Sequence, residues 1–222
     1  MRISGETITV LKNFAQINPN LLIPKGNRLR TMAVSKNVIA EADVAESFPV
    51  EFGIYDLSEF IGVLDLFKTA ELKFADDGKS VTIKGDNGGQ VKYWSAAKAA
   101  LFYPEKEVNP PEWDVNFKLA KDDLKHLMRA SAAIGAPDMV LGVSPGVNTG
   151  QISMTDSKSE TTNRFDTSID LITNKLSEEP EMVWKVDSLQ IIPDDYEVSV
   201  SSKRISQFNG NMVNYYVSLM RE

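Results

Sequence analysis

LAKDDLKHLMRASAAIG, Leu119 to Gly135, is the stretch whose reading decides the fold. At 100° per residue, Leu124, Leu127, Met128, Ser131 and Ile134 fall on one side of a helix, and Lys125, His126 and Arg129 on the other. Gly135 offers a low-strain left-handed stop, and Pro137 prevents continuation. The spacing predicts an amphipathic helix over Phe117–Gly135, packed by one face on a sheet. Its outer face is basic, with little acid besides Asp122, in a chain whose formal net charge is −7. A solvated helix surface accounts for such a stripe without any partner. That is the usual reading; an anionic partner is the alternative, and neighbouring segments are needed to separate the two.

Outward from this helix the chain reads as strands. DMVLGVS, GQISMTD, TTNRFDTSIDLI and EMVWKV follow it; DSLQII then reads as a short helix begun by Asp187 and stopped by Pro193. YEVSVSS, RISQFNG and VNYYVSL close the chain. Towards the N-terminus, SGETITVLKNFAQIN places Val10, Leu11, Phe14 and Ile17 on one helical face and Thr9, Lys12, Asn13 and Gln16 on the opposite one. NLLIP, NRLRTMAVS, NVIAEADV and FPVEFGIY read as four strands. In YDLSEFIGVLDLF, Asp56 and Glu59 form a capping-box variant ahead of the stripe Leu57, Phe60, Ile61, Leu64 and Phe67. AELKFADDGKSVTIKGDNGGQVKYW reads as three strands turned at DDGK and DNGG. Each half thus runs helix, about four strands, helix, about three strands. The expectation is a duplicated α+β unit: a domain over 1–108, a Pro-rich connector at about 97–112 (SAAKAALFYPEKEVNPPEW), and a domain over 113–222.

Composition removes several classes of function. The 222 residues contain no Cys and one His, which argues against disulfides, structural zinc and His-based triads, so no cofactor or metal is expected. No apolar run reaches 18 residues and the N-terminus lacks an apolar signal core, so neither a membrane span nor membrane partnership is expected, and a cytosolic setting fits. Residues 1–110 carry a net charge of −1 and residues 111–222 a net of −6. Much of the acid lies in turns, where solvation explains it; acid on the outside would also repel nucleic acid from all but a chosen surface.

LKNFAQIN and IYDLSEFIGVLDLF closely resemble the corresponding segments of the DNA polymerase sliding clamps of T-even-type bacteriophages. The length, the Pro-rich connector, the KDDLKHLMRAS helix and the NYYVSL strand fall in matching order. The resemblance spans the chain but is strong in those two segments, which are core and helix-face residues rather than a catalytic signature. It implies a DNA-clamp fold with two similar domains per subunit, and a head-to-tail homotrimer in which twelve helices line a ring and antiparallel sheets lie outside. It further implies a non-catalytic protein that encircles duplex DNA, tethers the replicative DNA polymerase, is placed by an ATP-driven clamp loader, and serves late-transcription factors, all in the cytoplasm of an infected bacterial host.

In such a ring Lys12, Asn13, Gln16, Lys121, Lys125, His126 and Arg129 would face DNA phosphates. Contacts of this kind carry no sequence information, as a protein that tracks any template requires. The helix at Asp56 departs from this picture: Ser58, Glu59, Gly62 and Asp65 hold no base, and Lys68 comes only afterwards. Ring closure needs edge strands, expected at Gln90–Ser95 with Tyr93 and Trp94, and at Thr161–Ile169 with Arg164 and Phe165. A partner-peptide pocket is expected from Leu101 and Phe102 of the connector with Met32, Val34, Leu219 and Met220.

Two other classes stay open on the residues alone. A carboxylate-based hydrolase could use Asp76/Asp77, Asp122/Asp123 or Asp194/Asp195, although each pair sits at a turn or helix start, and no nucleotide loop or nucleophile elbow is present. A single-stranded nucleic-acid binder without a ring would want aromatics among basic residues on an open sheet, and RLRTM and VKYW come closest.

Overall fold

The computed structural model describes residues 1–86, 88–159 and 161–220. The chain divides into two compact units, Met1–Glu107 and Val108–Glu222.

In the first unit α1 (Gly5–Ile17) begins at Ser4, whose side chain accepts from Thr7 N. Glu46 on β3 (Val38–Phe48) accepts from Ser4 N and the Thr7 hydroxyl, so one backbone donor and one side-chain donor at the helix start are met from a strand. Those hydrogen bonds hold the Glu46 carboxyl below its ordinary range against the opposing effect of burial. Thr7, Val10, Leu11 and Phe14 are buried, and α1 packs on β3 and on α2 (Leu57–Asp65). In α2, Asp56 Oδ1 caps Glu59 N at 3.0 Å, and Leu57, Phe60, Ile61 and Leu64 are buried. The surrounding strands are antiparallel: β1 (Leu21–Ile23) pairs β4 (Phe52–Ile54), β2 (Gly26–Met32) pairs β3, and β5 (Glu71–Phe74), β6 (Ser80–Lys84) and β7 (Gln90–Trp94) form a three-stranded sheet. An aromatic cluster ties these together, with ring centroids at 5.4 Å for Phe52–Phe74 and 5.2 Å for Phe60–Tyr93.

The second unit is built on an antiparallel run in the order β12 (Met182–Lys185), β9 (Asp138–Gly142), β10 (Thr149–Thr155), β11 (Phe165–Asn174), β8 (Val115–Leu119), β13 (Tyr196–Ser201), β14 (Ile205–Asn209) and β15 (Asn214–Ser218). The helix α3 (Lys121–Ile134) packs on β10. Trp184 is fully buried, and its indole N–H donates to Ser206 Oγ at 2.7 Å, which donates onward to Val217 O. A buried indole thus keeps a partner within an apolar core.

Several expected elements differ. NVIAEADV and the start of FPVEFGIY form one eleven-residue strand, β3, because nothing between Val44 and Phe48 breaks an extended backbone. Phe117–Leu119 belong to β8 rather than to the helix: Val115, Phe117 and Leu119 are buried at a period of two. Phe67 lies beyond the end of α2 and is half-buried. DSLQII is not an α-helix. A single 3-10 turn spans Val186–Ser188, and Ile192, disfavoured from helical geometry by the following Pro193, is fixed instead by Tyr215 Oη, which accepts from its N–H at 3.1 Å, and by Tyr196 Oη, which donates to its carbonyl. The described residues therefore contain three α-helices, where twelve helices in a trimer require four per chain. Asn87, in the expected DNGG turn, lies outside the described residues.

The connector is not a free linker. Within the first unit, Ala96 N donates to Gly53 O, and Asn18 Nδ2 donates to Phe102 O at 2.7 Å. Asn20 Oδ1 accepts from Phe102 N, and Arg30 donates to Lys106 O. A Cβ at Gly53 would stand 2.5 Å from Ala96 O and 2.9 Å from Leu101 Cδ1, so only glycine lets the connector press so close.

Candidate nucleic-acid interface

The helix α3 carries no capping side chain of its own, since Ala120 precedes it. Asp195 supplies the cap from 74 residues away, its Oδ1 accepting from Lys121 N at 2.7 Å. At the other end Gly135 adopts φ 68°, and Ala136 N donates to Ser131 O. Leu124, Leu127 and Ser131 are buried, which turns Lys121, Lys125, His126 and Arg129 to the surface, where all four are exposed. Lys125 pairs with Asp122 one turn earlier at 3.5 Å, a contact worth a few tenths of a kcal/mol on an exposed helix, about 0.3–0.5. Among the described residues neither Lys121 nor Arg129 forms an ion pair. The His126 ring lies 5.2 Å from that of Phe165 on β11.

On α1, Lys12 and Gln16 are exposed as expected, and Lys12 pairs with Asp65 of α2 at 3.2 Å. Asn13 is not on this surface. It is 7% exposed, because it lies only 60° around the helix from the buried Val10. Of the seven residues expected to face an anion, six are exposed, and the free positive charge is greater on α3.

The expected edges are positioned unequally. One flank of the β5–β6–β7 sheet is met by the N-terminus, where Leu72 N donates to Met1 O and the backbone of Arg2 forms an isolated antiparallel bridge with that of Glu71; the other flank is β7. Strand alternation sends Tyr93 and Trp94 to opposite faces. Tyr93 faces the core, its hydroxyl donating to Asp56 O at 3.3 Å, and burial together with Glu59 and Asp56 pushes its pKa up to about 12. It is half-buried, whereas Trp94 is 64% exposed. The strand β11 lies inside its sheet rather than at the end. Its register with β10 covers Phe165–Asp170, whereas its register with β8 begins only at Leu171. Arg164 is exposed and held by Asp166 at 2.6 Å, and Phe165 is half-buried against His126.

Of the expected pocket residues, Val34 sits exposed at the tip of the β2–β3 hairpin, while Met32, Leu101 and Phe102 are half-buried. Leu219 is 5% exposed and its N–H donates to Arg204 O, so it is a core residue of the second unit and offers no free surface. Met220 is half-buried, its N–H donating to Val183 O. The paired acids have local duties: Asp77 caps Lys79 N, Asp122 pairs Lys125, Asp194 holds Asn211 and Asp195 caps α3. Among the described residues no cluster of three or more His, Asp or Glu suits a metal, and no helix is long and apolar enough to cross a membrane.

Residues 4–101 match the family described as DNA polymerase processivity factor, and residues 116–220 the family described as gp45 sliding clamp, C terminal. The sliding clamp of Vibrio phage KVP40 is 35% identical over 221 residues, covering 98% of each chain. The chain belongs to the phage sliding-clamp family. The sliding clamp of Escherichia phage RB69 is 28% identical over 99% of this clamp chain and 96% of its own. Among solved structures, A. fulgidus PCNA, with the C-terminal region of FEN-1 bound to it, superposes with a TM-score of 0.74 at 14% identity, over 100% of this chain and 98% of that one. The fold is the DNA-clamp fold, α+β with two similar units.

One part of the clamp's surface escaped the sequence reading. Because no helix forms after Asp187, a groove of about 490 Å³ opens between α3 and the segment Leu189–Pro193, with Met128, Ile191 and Pro193 beside Lys125 and Arg129. Pro193, six residues after the supposed cap Asp187, was the available signal.

Proposed function

We propose that this clamp works as a homotrimeric ring that encloses duplex DNA and tethers the replicative DNA polymerase without catalysing a reaction itself. The observation that carries this reading is the exposed cationic stripe Lys121, Lys125 and Arg129 on α3, set in a chain of net charge −7. Exposed on a rigid helix and few in number, these groups attract phosphate without a deep grip, and each phosphate neutralised adds about one unit of salt slope. Lys12, Gln16 and His126 add to the same surface, with Lys12 offset by Asp65. The open main-chain edge of β7 and the one-sided stretch Phe165–Ile169 supply the head-to-tail joint. Partner peptides, from the polymerase, an ATP-driven loader or late-transcription factors, meet the apolar residues Met32, Val34, Leu101 and Phe102. The setting is the cytoplasm of an infected bacterium.

The test is Lys125→Ala combined with Arg129→Ala. The variant should fold and assemble normally yet give several-fold weaker retention on nicked circular duplex at moderate salt, and correspondingly poorer stimulation of a cognate polymerase. Unchanged retention and stimulation would remove α3 from the DNA surface.

A further inference from the structure

The β5–β6–β7 sheet has a second face that none of the foregoing uses. Leu72, Val81, Ile83 and Tyr93 point inward, so alternation sends Lys73, Ser80, Thr82, Lys84, Gln90, Lys92 and Trp94 to the opposite face, together with one acid, Glu71. The registers place these residues in rows. Lys73 lies opposite Thr82, which lies opposite Lys92; Glu71 lies opposite Lys84, which lies opposite Gln90; Ser80 lies opposite Trp94. Lys73 and Lys92 are therefore two strand spacings apart, about 10 Å, with Lys84 diagonal to both. All three lysines are exposed, and none forms an ion pair among the described residues. They line a shallow depression of about 580 Å³ with Ser80, Thr82 and Gln90. Like charges gathered on one sheet face cost stability, and here they gather in a protein with an excess of acid. At the edge, Trp94 is 64% exposed, and the Lys92 ammonium stands 4.4 Å from its ring centroid.

We propose that this face is a binding surface for single-stranded DNA. The three ammonium groups track the phosphates, Thr82 and Gln90 hydrogen-bond sugar or base edges, and a base stacks on Trp94. Charge complementarity names a polyanion. The exposed indole among the lysines selects single strands over duplex, whose bases are already stacked, and over an acidic peptide, whose Asp and Glu side chains carry no ring. The site lies wholly within the first unit and uses side chains on the sheet face, whereas the joint proposed above uses the main-chain edge of β7.

The probe is 5′-fluorescein-labelled (dT)20, titrated by fluorescence anisotropy with the full chain in 50 mM NaCl, against Lys73→Ala/Lys84→Ala/Lys92→Ala, Trp94→Ala, Trp94→Phe and Lys125→Ala/Arg129→Ala. The lysine variant should bind more than tenfold more weakly and lose about two units of salt slope. Trp94→Ala should weaken binding about tenfold, and Trp94→Phe should restore most of it, as stacking requires. The α3 variant should lose far less affinity for (dT)20 than the lysine variant does. The proposal is overturned if the lysine variant binds like the wild type, if only the α3 variant loses affinity, or if a poly-Glu peptide binds this face as tightly as (dT)20 and Trp94→Ala leaves that binding unchanged. The last result would make it a docking surface for acidic protein.

Discussion

α2 and the segment Ser188–Ile192 stand at corresponding places in the two units, each after a strand and an aspartate, yet only the first is an α-helix. In the first unit Asp56 caps Glu59 N, and the next turns carry Leu57, Phe60, Ile61 and Leu64 into the core. In the second, Asp187 lies inside a 3-10 turn that no side chain caps, and Pro193 forbids helical geometry at Ile192. Leu189 and Ile191 are nevertheless buried, and the backbone is held by Tyr196 and Tyr215 instead of by helical hydrogen bonds. A duplicated order of elements thus fixes which residues go inside more firmly than it fixes how the backbone carries them there. The functional consequence falls on α3, which has a groove beside it where a second helix would otherwise pack.

The comparison can be broken most forcefully in the core. Phe60→Ala removes a fully buried ring that touches Phe52 and Tyr93 and should cost about 3–5 kcal/mol in urea unfolding. Ile191→Ala, 8% exposed and on the wall of an open groove, should cost less, about 2 kcal/mol. Equal losses would mean that the second segment is as tightly packed as α2.

Alkaline pH sharpens the contrast next. Burial pushes Tyr93 up to about 12, and Tyr196 and Tyr215 further above the ordinary phenol value of 10.0. The folded chain keeps these phenols protonated where the unfolded chain would ionise. Their contribution is therefore complete below pH 10 and is lost as pH rises through 10 to 12 and beyond. A profile of Tm against pH should fall steeply above pH 10. Tyr93→Phe should flatten the smaller share, leaving the steeper one from the tyrosines that pin Ile192. A profile unaltered by that substitution would show that Tyr93 ionises normally.

The smallest effect is at the caps. Asp56→Ala should cost about 1 kcal/mol, while Asp187→Ala, which removes no cap, should fall within about 0.5 kcal/mol of zero. A comparable loss at both positions would give Asp187 a structural duty that its geometry does not show.

Much of the architecture was legible in the residues: both long helices, the cap at Asp56, the Gly135 stop and most strands followed from period and turn chemistry. What was not legible had physical causes. Val115, Phe117 and Leu119 alternate as a strand, but the helix that begins immediately afterwards absorbs them into a longer apolar pattern. Asn13 is polar yet lies close enough to Val10 to be covered, and a wheel drawn in two halves cannot show that boundary. Tyr93 and Trp94 were paired by composition, although adjacent strand residues must point apart. The cap of α3 comes from Asp195, a partner that only the tertiary fold brings near.

Solution mass combined with small-angle scattering tests the central claim most directly. At tens of micromolar the chain should have three times its monomer mass of 24.6 kDa and a scattering profile with the central void of a ring. A persistent monomer, or an assembly with no opening, would contradict it.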